Sequence, residues 1–194
     1  MKNYLRISVI LGAIALVCAA ILAALNMLTS PVIAKNDEKK ETETIQAIYS
    51  NYDSEKSTVE SLDGLNDSIT KKIIAKDSSD KVLGTLYTVT GKNAYGTITL
   101  MVAISTNNTV YQVEFLENGQ SFASTVNSHV KSNYHSSKEE AYELNPYSDG
   151  NQVEVGELTQ DDVKNVNVKC GATYGATLVK DLVNIALADA KGGK

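Results

Sequence analysis

Histidine and cysteine are both scarce in this chain of 194 residues, with two of each. His129 and His135 have no third histidine near them and one thiol at most, too few ligands for a zinc site, so both are expected on the surface. Cys18 falls inside an apolar run and Cys170 lies far outside it, so no intramolecular disulfide is expected. The outer thiol is either packed in a core or placed beside a bound group. Positive charge is also in short supply. Lys and Arg number 18 against 23 Asp and Glu, a net charge of −5 with a pI near 5.1. No basic patch interleaved with aromatics is present, which argues against a nucleic-acid partner. A P-loop, a dinucleotide fingerprint, a catalytic triad and paired carboxylates are all missing, so no catalytic residue is assigned and independent substrate turnover has no support.

Long apolar sequence, by contrast, is present at the start. Residues 7–28 carry no charge, a run long enough to cross a hydrocarbon core of about 30 Å as a helix. Lys2 and Arg6 precede it and mixed charges follow, which orients the N-terminus to the cytoplasm and the remainder outward. A cleaved signal peptide is the rival reading, but its apolar core normally spans only about 7–15 residues. A lipid anchor at Cys18 is disfavoured because Val17 precedes it. Beyond the span, Ser30 suits a helix cap and Pro31 a first helical position, so a juxtamembrane helix is expected through about Ile48.

Residues 51–194 suffice for one domain with its own core. Alternating segments at 69–75, 81–90, 96–105 and 109–116 predict a strand meander, with Asn107-Asn108 as a tight hairpin turn. Residues 121–133 and 136–144 read as helix with a break, 145–151 as a linker, 159–162 as a capped turn, and 166–168 as a short strand. The expected class is α+β, an antiparallel-rich sheet flanked by helices.

The stretch Gly171-Ala172-Thr173-Tyr174-Gly175-Ala176-Thr177, after Cys170 and before an apolar helical run, carries the most chemistry. Its glycines and alanines let backbone approach a bulky anion, and a helix starting there aims unpaired N–H groups at it. On the residues alone, a simple threonine helix cap over a core helix explains it equally well. The segment resembles the FMN-attachment segment of the RnfG family of Rnf electron-transport complexes and of its counterpart in the sodium-pumping NADH:quinone reductase. There a Ser-Gly-Ala-Thr carries FMN through a phosphoester on the threonine. Gly171, Ala172 and Thr173 match, which implies Thr173 as the attachment residue, and Asp181 and Val183 match in the following helix. Cys170 replaces the usual serine, Asn167 an aspartate, and Gly175 a second hydroxyl residue.

A second segment is similar to the same family. Leu25-Asn26-Met27-Leu28-Thr29-Ser30-Pro31-Val32-Ile33-Ala34-Lys35-Asn36 resembles the Leu-Thr-x-Pro-x-Ile-Ala-x-Asn exit of the first helix in RnfG. Tyr95-Gly96 resembles part of a Gly-Tyr-Gly-Gly segment beside the flavin. Asn118 to Ala123 stand where the family has a flavin-contacting His-x-Glu-Thr-Pro-Gly loop, with Gln120 for the glutamate and Ser121 for the threonine. The resemblance implies division at 1–28, 29–50 and 51–194, covalent FMN, and cofactor contacts from Cys170, Gly171, Ala172, Tyr174, Tyr95, Gly96, Gln120 and Ser121. It implies a single-pass cell-membrane redox subunit of an ion-translocating ferredoxin:NAD complex, with other membrane subunits and a maturing flavin transferase as partners. Two alternatives remain at this level: a free-standing tethered flavin carrier, and a non-redox module that has lost attachment.

Overall fold

The computed structural model describes residues 2–134 and 157–192, with side chains from residue 6 onward. The chain divides into two compact units, Met1–Thr42 and Glu43–Lys194. Helix α1 (Lys2–Ile48) begins in the first and ends in the second. Its apolar window has a mean hydropathy of 2.8 and none of it is buried. Among the described residues it is the helix long and apolar enough to cross a membrane, which fits a single-pass membrane protein.

The expected helix start at Ser30 is not seen, because α1 runs through Ser30 and Pro31 without a break. Proline inside a helix removes one N–H from the ladder and crowds the preceding turn. The Thr29 hydroxyl donates to the Leu25 carbonyl at 2.9 Å, binding backbone in that turn. Such side-chain bonds are among the means by which apolar helices tolerate proline.

In the second unit five strands follow in sequence: β1 (Thr58–Val59), β2 (Ile69–Lys76), β3 (Val82–Asn93), β4 (Gly96–Ile104) and β5 (Val110–Asn118). Each pairs antiparallel with the next, in the order β1-β2-β3-β4-β5. The meander expected from the alternating segments is therefore present, with β1 an addition. Asn108 takes the left-handed conformation (φ 58°) that the β4–β5 turn needs. Its N–H donates to the Ser105 carbonyl at 3.0 Å.

Helices α2 (Ala123–Asn133), α3 (Gln160–Asn165) and α4 (Thr173–Ala190) complete the α+β fold. One sheet face carries Val89, Ile98, Leu100, Val102 and Val113 into a core with Val126 and Val130 of α2 and Val179, Leu182, Val183 and Ala186 of α4. The other face packs Ile73, Leu86, Met101 and Ala103 against Ile45 and Ile48. Strand β4 is thus covered on both sides, which is why its sequence is continuously apolar from Leu100 to Ile104 rather than alternating. Each aliphatic side chain removed from water here contributes about 1.5–3 kcal/mol.

Two ties fix α4 on the sheet. Near its end, Asp189 Oδ2 accepts from Lys72 Nζ at 3.0 Å and from the Tyr87 hydroxyl at 2.9 Å. At its start, Asn93 Nδ2 donates to the Tyr174 carbonyl at 3.1 Å. The capped turn at 159–162 is borne out: Thr159 and Asp162 form a reciprocal capping box at the head of α3.

Two expectations are corrected. Residues 166–168 form no strand; the polar turn at Asn167, whose Oδ1 accepts from the Lys169 N–H at 3.0 Å, holds this segment out of any ladder. Leu158 instead makes the isolated bridge, to Val110. His129 is buried, not on the surface, because it shares the inward face of α2 with Val126 and Val130. His135, the helix at 136–144 and the linker at 145–151 lie outside the described residues.

Burial pushes the His129 imidazole down to about 4. Its Nε2 has no hydrogen-bond partner, while its ring meets Tyr134 edge-on at 6.2 Å. A depressed histidine leaves stability intact above the unfolded value of about 6.5 and removes it as pH falls from there through 4, by up to about 2–3 kcal/mol. Thermal melts of the detergent-solubilised chain should therefore fall between pH 6.5 and 4, and His129→Leu should flatten that part of the profile. Parallel profiles for both proteins would contradict the buried neutral histidine.

Candidate functional site

The site is assembled from three chain segments at one end of the sheet. The tip of the β3–β4 hairpin supplies Tyr95 and Gly96, the turn after β5 supplies Gln120, and the start of α4 supplies residues 171–175. They enclose a half-open cleft of about 260 Å³ lined by Tyr95, Gln120, Phe122, Val126 and residues 171–175.

Hydrogen bonds hold the three segments together. Asn93 Oδ1 accepts from the Tyr95 N–H at 2.8 Å, while its Nδ2 reaches the α4 backbone as described. The Ser121 N–H donates to the Tyr95 carbonyl at 3.1 Å, and the Gly119 N–H to the Thr97 carbonyl at 2.9 Å. Gln120 Nε2 donates to the Gly96 carbonyl at 2.7 Å.

Gly96 adopts φ +141°, and a Cβ there would stand 2.0 Å from the Gly119 carbonyl oxygen. Only glycine brings the strand start and the 118–121 turn so close. At Gly175 a Cβ would lie 2.6 Å from Val126 Cγ2 and 3.3 Å from Gln120 Oε1. The hydroxyl residue common at this position in the resemblance is therefore excluded here by the packing of α2 against α4.

Thr173 is the first residue of α4, and its side chain is exposed. The cap position is Ala172, whose side chain makes no capping bond. The threonine-cap explanation of this segment thus fails: Thr173 lies inside the helix, with no side-chain acceptor covering the first N–H groups. Gly171 enters the turn at φ +78°. The aromatic rings of Tyr95 and Tyr174 face each other at the mouth, centroids 5.4 Å apart and tilted by 31°.

Residues 1–48 match the family described as RnfG N-terminal region. The match covers helix α1 and none of the five strands beyond it, so the chain is similar to that family over this stretch. No curated protein matches the chain.

The cleft has room for one end of a phosphate ester such as the flavin that the resemblance implies. Pockets enclosing a drug-sized ligand measure about 300–1,000 Å³, so a cleft of this size would hold part of FMN and leave the rest outside. Its glycine and alanine floor admits close backbone approach, and Gln120 Oε1 adds an acceptor. Of the residues expected at the cofactor, Tyr95, Gln120, Gly171, Ala172, Thr173 and Tyr174 line the cleft together. Gly96 and Ser121 stand behind it as ties between loops, Gly96 through its carbonyl and Ser121 through its N–H. Cys170 lies in the apolar core beneath, the packed-thiol alternative, and is not on the cleft wall. Phe122 and Val126 are lining residues that the sequence reading misses. Phe122 directly follows the Gln120-Ser121 pair, and Val126 stands one helical turn beyond it, the spacing that could have flagged both.

Proposed function

We propose that this chain is a subunit of RnfG type that relays electrons through FMN attached to Thr173, within an ion-translocating ferredoxin:NAD oxidoreductase of Rnf type. The observation that carries the reading is the convergence of the hairpin tip, the Gln120 turn and the exposed Thr173 on one cleft at a helix start. FMN, when bound, supplies the electron-transfer chemistry, and the protein sets its position and environment. Thr173 would bridge to the phosphoryl group through its hydroxyl oxygen. The first-turn N–H groups of α4 would face the phosphoryl oxygens, favoured further by the positive end of the helix dipole. Gly175 keeps that approach clear.

The proposed arrangement divides the chain at 1–28 (cytoplasmic start and span), 29–50 (juxtamembrane helix) and 51–194 (extracytoplasmic flavin domain). Other membrane subunits would receive the span, and a flavin transferase would load Thr173. Asn167 replaces a charged residue with a neutral one of the same shape. Its Oδ1 already accepts the Lys169 N–H, a bond an aspartate would make equally well.

The decisive experiment co-expresses the full chain with a flavin transferase, then looks for ultraviolet fluorescence of the denatured band and an FMN mass adduct on the Thr173 peptide. A dark band would favour the non-redox module. Orientation is tested separately: protease added to spheroplasts should remove a C-terminal tag. Protection of the tag until the membrane is broken would reverse the proposed topology.

A further inference from the structure

Two polar groups in the core take no part in the site at the start of α4. His129 is 1% exposed and Tyr134 is 0% exposed. Among the described residues, neither His129 Nε2 nor Tyr134 Oη has a hydrogen-bond partner. Their rings meet edge-on, with planes inclined by 72°. Each group left unpaired in the interior carries a desolvation penalty that a bound donor or acceptor would remove.

Neighbouring atoms fix what each group needs. Asn133 Nδ2 donates to the His129 carbonyl at 2.8 Å, and because a carbonyl only accepts, the amide nitrogen must stand there and not its oxygen. The same nitrogen lies 3.3 Å from His129 Nδ1. An amide nitrogen cannot accept, so Nδ1 is the acceptor and the proton of the neutral imidazole resides on Nε2. Nε2–H is therefore a buried donor without an acceptor. Asn184 on α4 has the opposite need: its Nδ2 donates to the Lys180 carbonyl at 3.0 Å, and its buried Oδ1 accepts from no described residue. Burial, and after it the negative charge of Asp181, pushes the Tyr134 hydroxyl above its usual range. That hydroxyl is thus within electrostatic reach of the α4 turn that carries both Asp181 and Asn184.

We propose that one internal water binds between the end of α2 and α4, accepting from His129 Nε2–H, donating to Asn184 Oδ1 and sharing its remaining bond with Tyr134 Oη. A donor, an acceptor and a hydroxyl that can act as either make the set that a water with three bonds satisfies. An anion would suit the imidazole but meet the lone pairs of Asn184 Oδ1. A cation would suit that oxygen but meet the Nε2 proton. The site bears on the cleft through α2, because Val126 lines the cleft and Asn127 Oδ1 accepts from Asn118 Nδ2 at 2.7 Å. The water pins the opposite end of that helix.

The test uses the full-length chain in detergent, with isotope-labelled histidine and His135→Gln so that one imidazole remains. Near neutral pH, long-range proton–nitrogen spectra should show Nε2 protonated and Nδ1 bare. The Nε2 proton should cross-relax with a water that tumbles with the protein. Bromide in place of chloride should leave its shift unchanged. Tyr134→Phe should shorten the residence of that water and lower the melting temperature by about 2–6 °C. In a cycle with His129→Phe, the double variant should melt no lower than the less stable single variant, since losing either partner already loosens the shared water. A proton on Nδ1, an Nε2 proton with no water contact, a shift that follows bromide, or melting losses that add in full would each overturn the inference. Where His129→Phe does not fold, the spectra and Tyr134→Phe, which removes a single oxygen, decide it.

Discussion

Thr173→Val should give a completely dark band on a denaturing gel after co-expression with a flavin transferase, while Thr177→Ala stays fluorescent. A phosphoester needs the hydroxyl oxygen as its bridge, and valine keeps the branched shape while removing that oxygen. The tandem Gly-Ala-Thr repeat offers two candidate hydroxyls, and the structure separates their surroundings. Thr173 is exposed at the first residue of α4, where backbone N–H groups lack intrahelical acceptors. Thr177 is half-buried one turn further in, where the N–H groups are committed to the helix. In the Thr177 frame, Tyr174 would also have to stand for the serine and Gly171 for the aspartate. A fluorescent Thr173→Val band beside a dark Thr177→Ala band would overturn the frame.

Gly96→Ala should destabilise the second unit by about 3 kcal/mol or more, since it combines a backbone conformation that L residues rarely adopt with a clash against main chain. The obstructing atoms are the Gly119 carbonyl oxygen at 2.0 Å and its carbon at 2.6 Å, neither of which can swing aside as a side-chain end can. In a domain of this size that corresponds to a fall in melting temperature of roughly 6–12 °C. The hairpin tip and the 118–121 turn would separate, and Gln120 would lose the Gly96 carbonyl that orients it. Calorimetry should show the fall in melting temperature directly. An unchanged melting temperature would show that this contact does not hold the two loops.

What could be read in the sequence follows from how local each signal is. The alternation of β2, β3 and β5, the left-handed turn at Asn108 and the Thr159–Asp162 box are set by neighbours in the chain, and they appear where expected. The turn into α4 is legible for the same reason, while Tyr95 and Gln120, singled out through the resemblance, line the same cleft. Features decided by distant packing are not. Strand β1 has only two residues and exists because Thr58 and Val59 pair with Ile74 and Ile73. The scarcity of histidine points His129 to the surface, whereas its spacing from Val126 and Val130 puts it on the apolar face of α2. Ser30 and Pro31 carry a strong helix-start signature, yet the helix continues through them, because an apolar helix tolerates the lost bond. Gly175 reads as a missing hydroxyl in the sequence, and only the approach of Val126 shows why no side chain fits.

The nearest-neighbour order of the sheet also sets the order in which the molecule can be finished. Each hairpin joins strands adjacent in sequence, so β2 to β5 can pair by short-range contacts as the chain emerges, the class of topology that folds quickly. Helix α4 follows every strand of the sheet and supplies both a large share of the core and the floor of the cleft. Until it docks, through Asp189 at one end and the Asn93 contact at the other, the sheet face bearing Val89, Leu100 and Val113 stays uncovered. The hairpin tip and the Gln120 turn can form early, but they bound nothing. The cleft is thereby tied to the docking of α4: a chain cut before Thr173 would form the hairpin tip and the Gln120 turn with no floor between them.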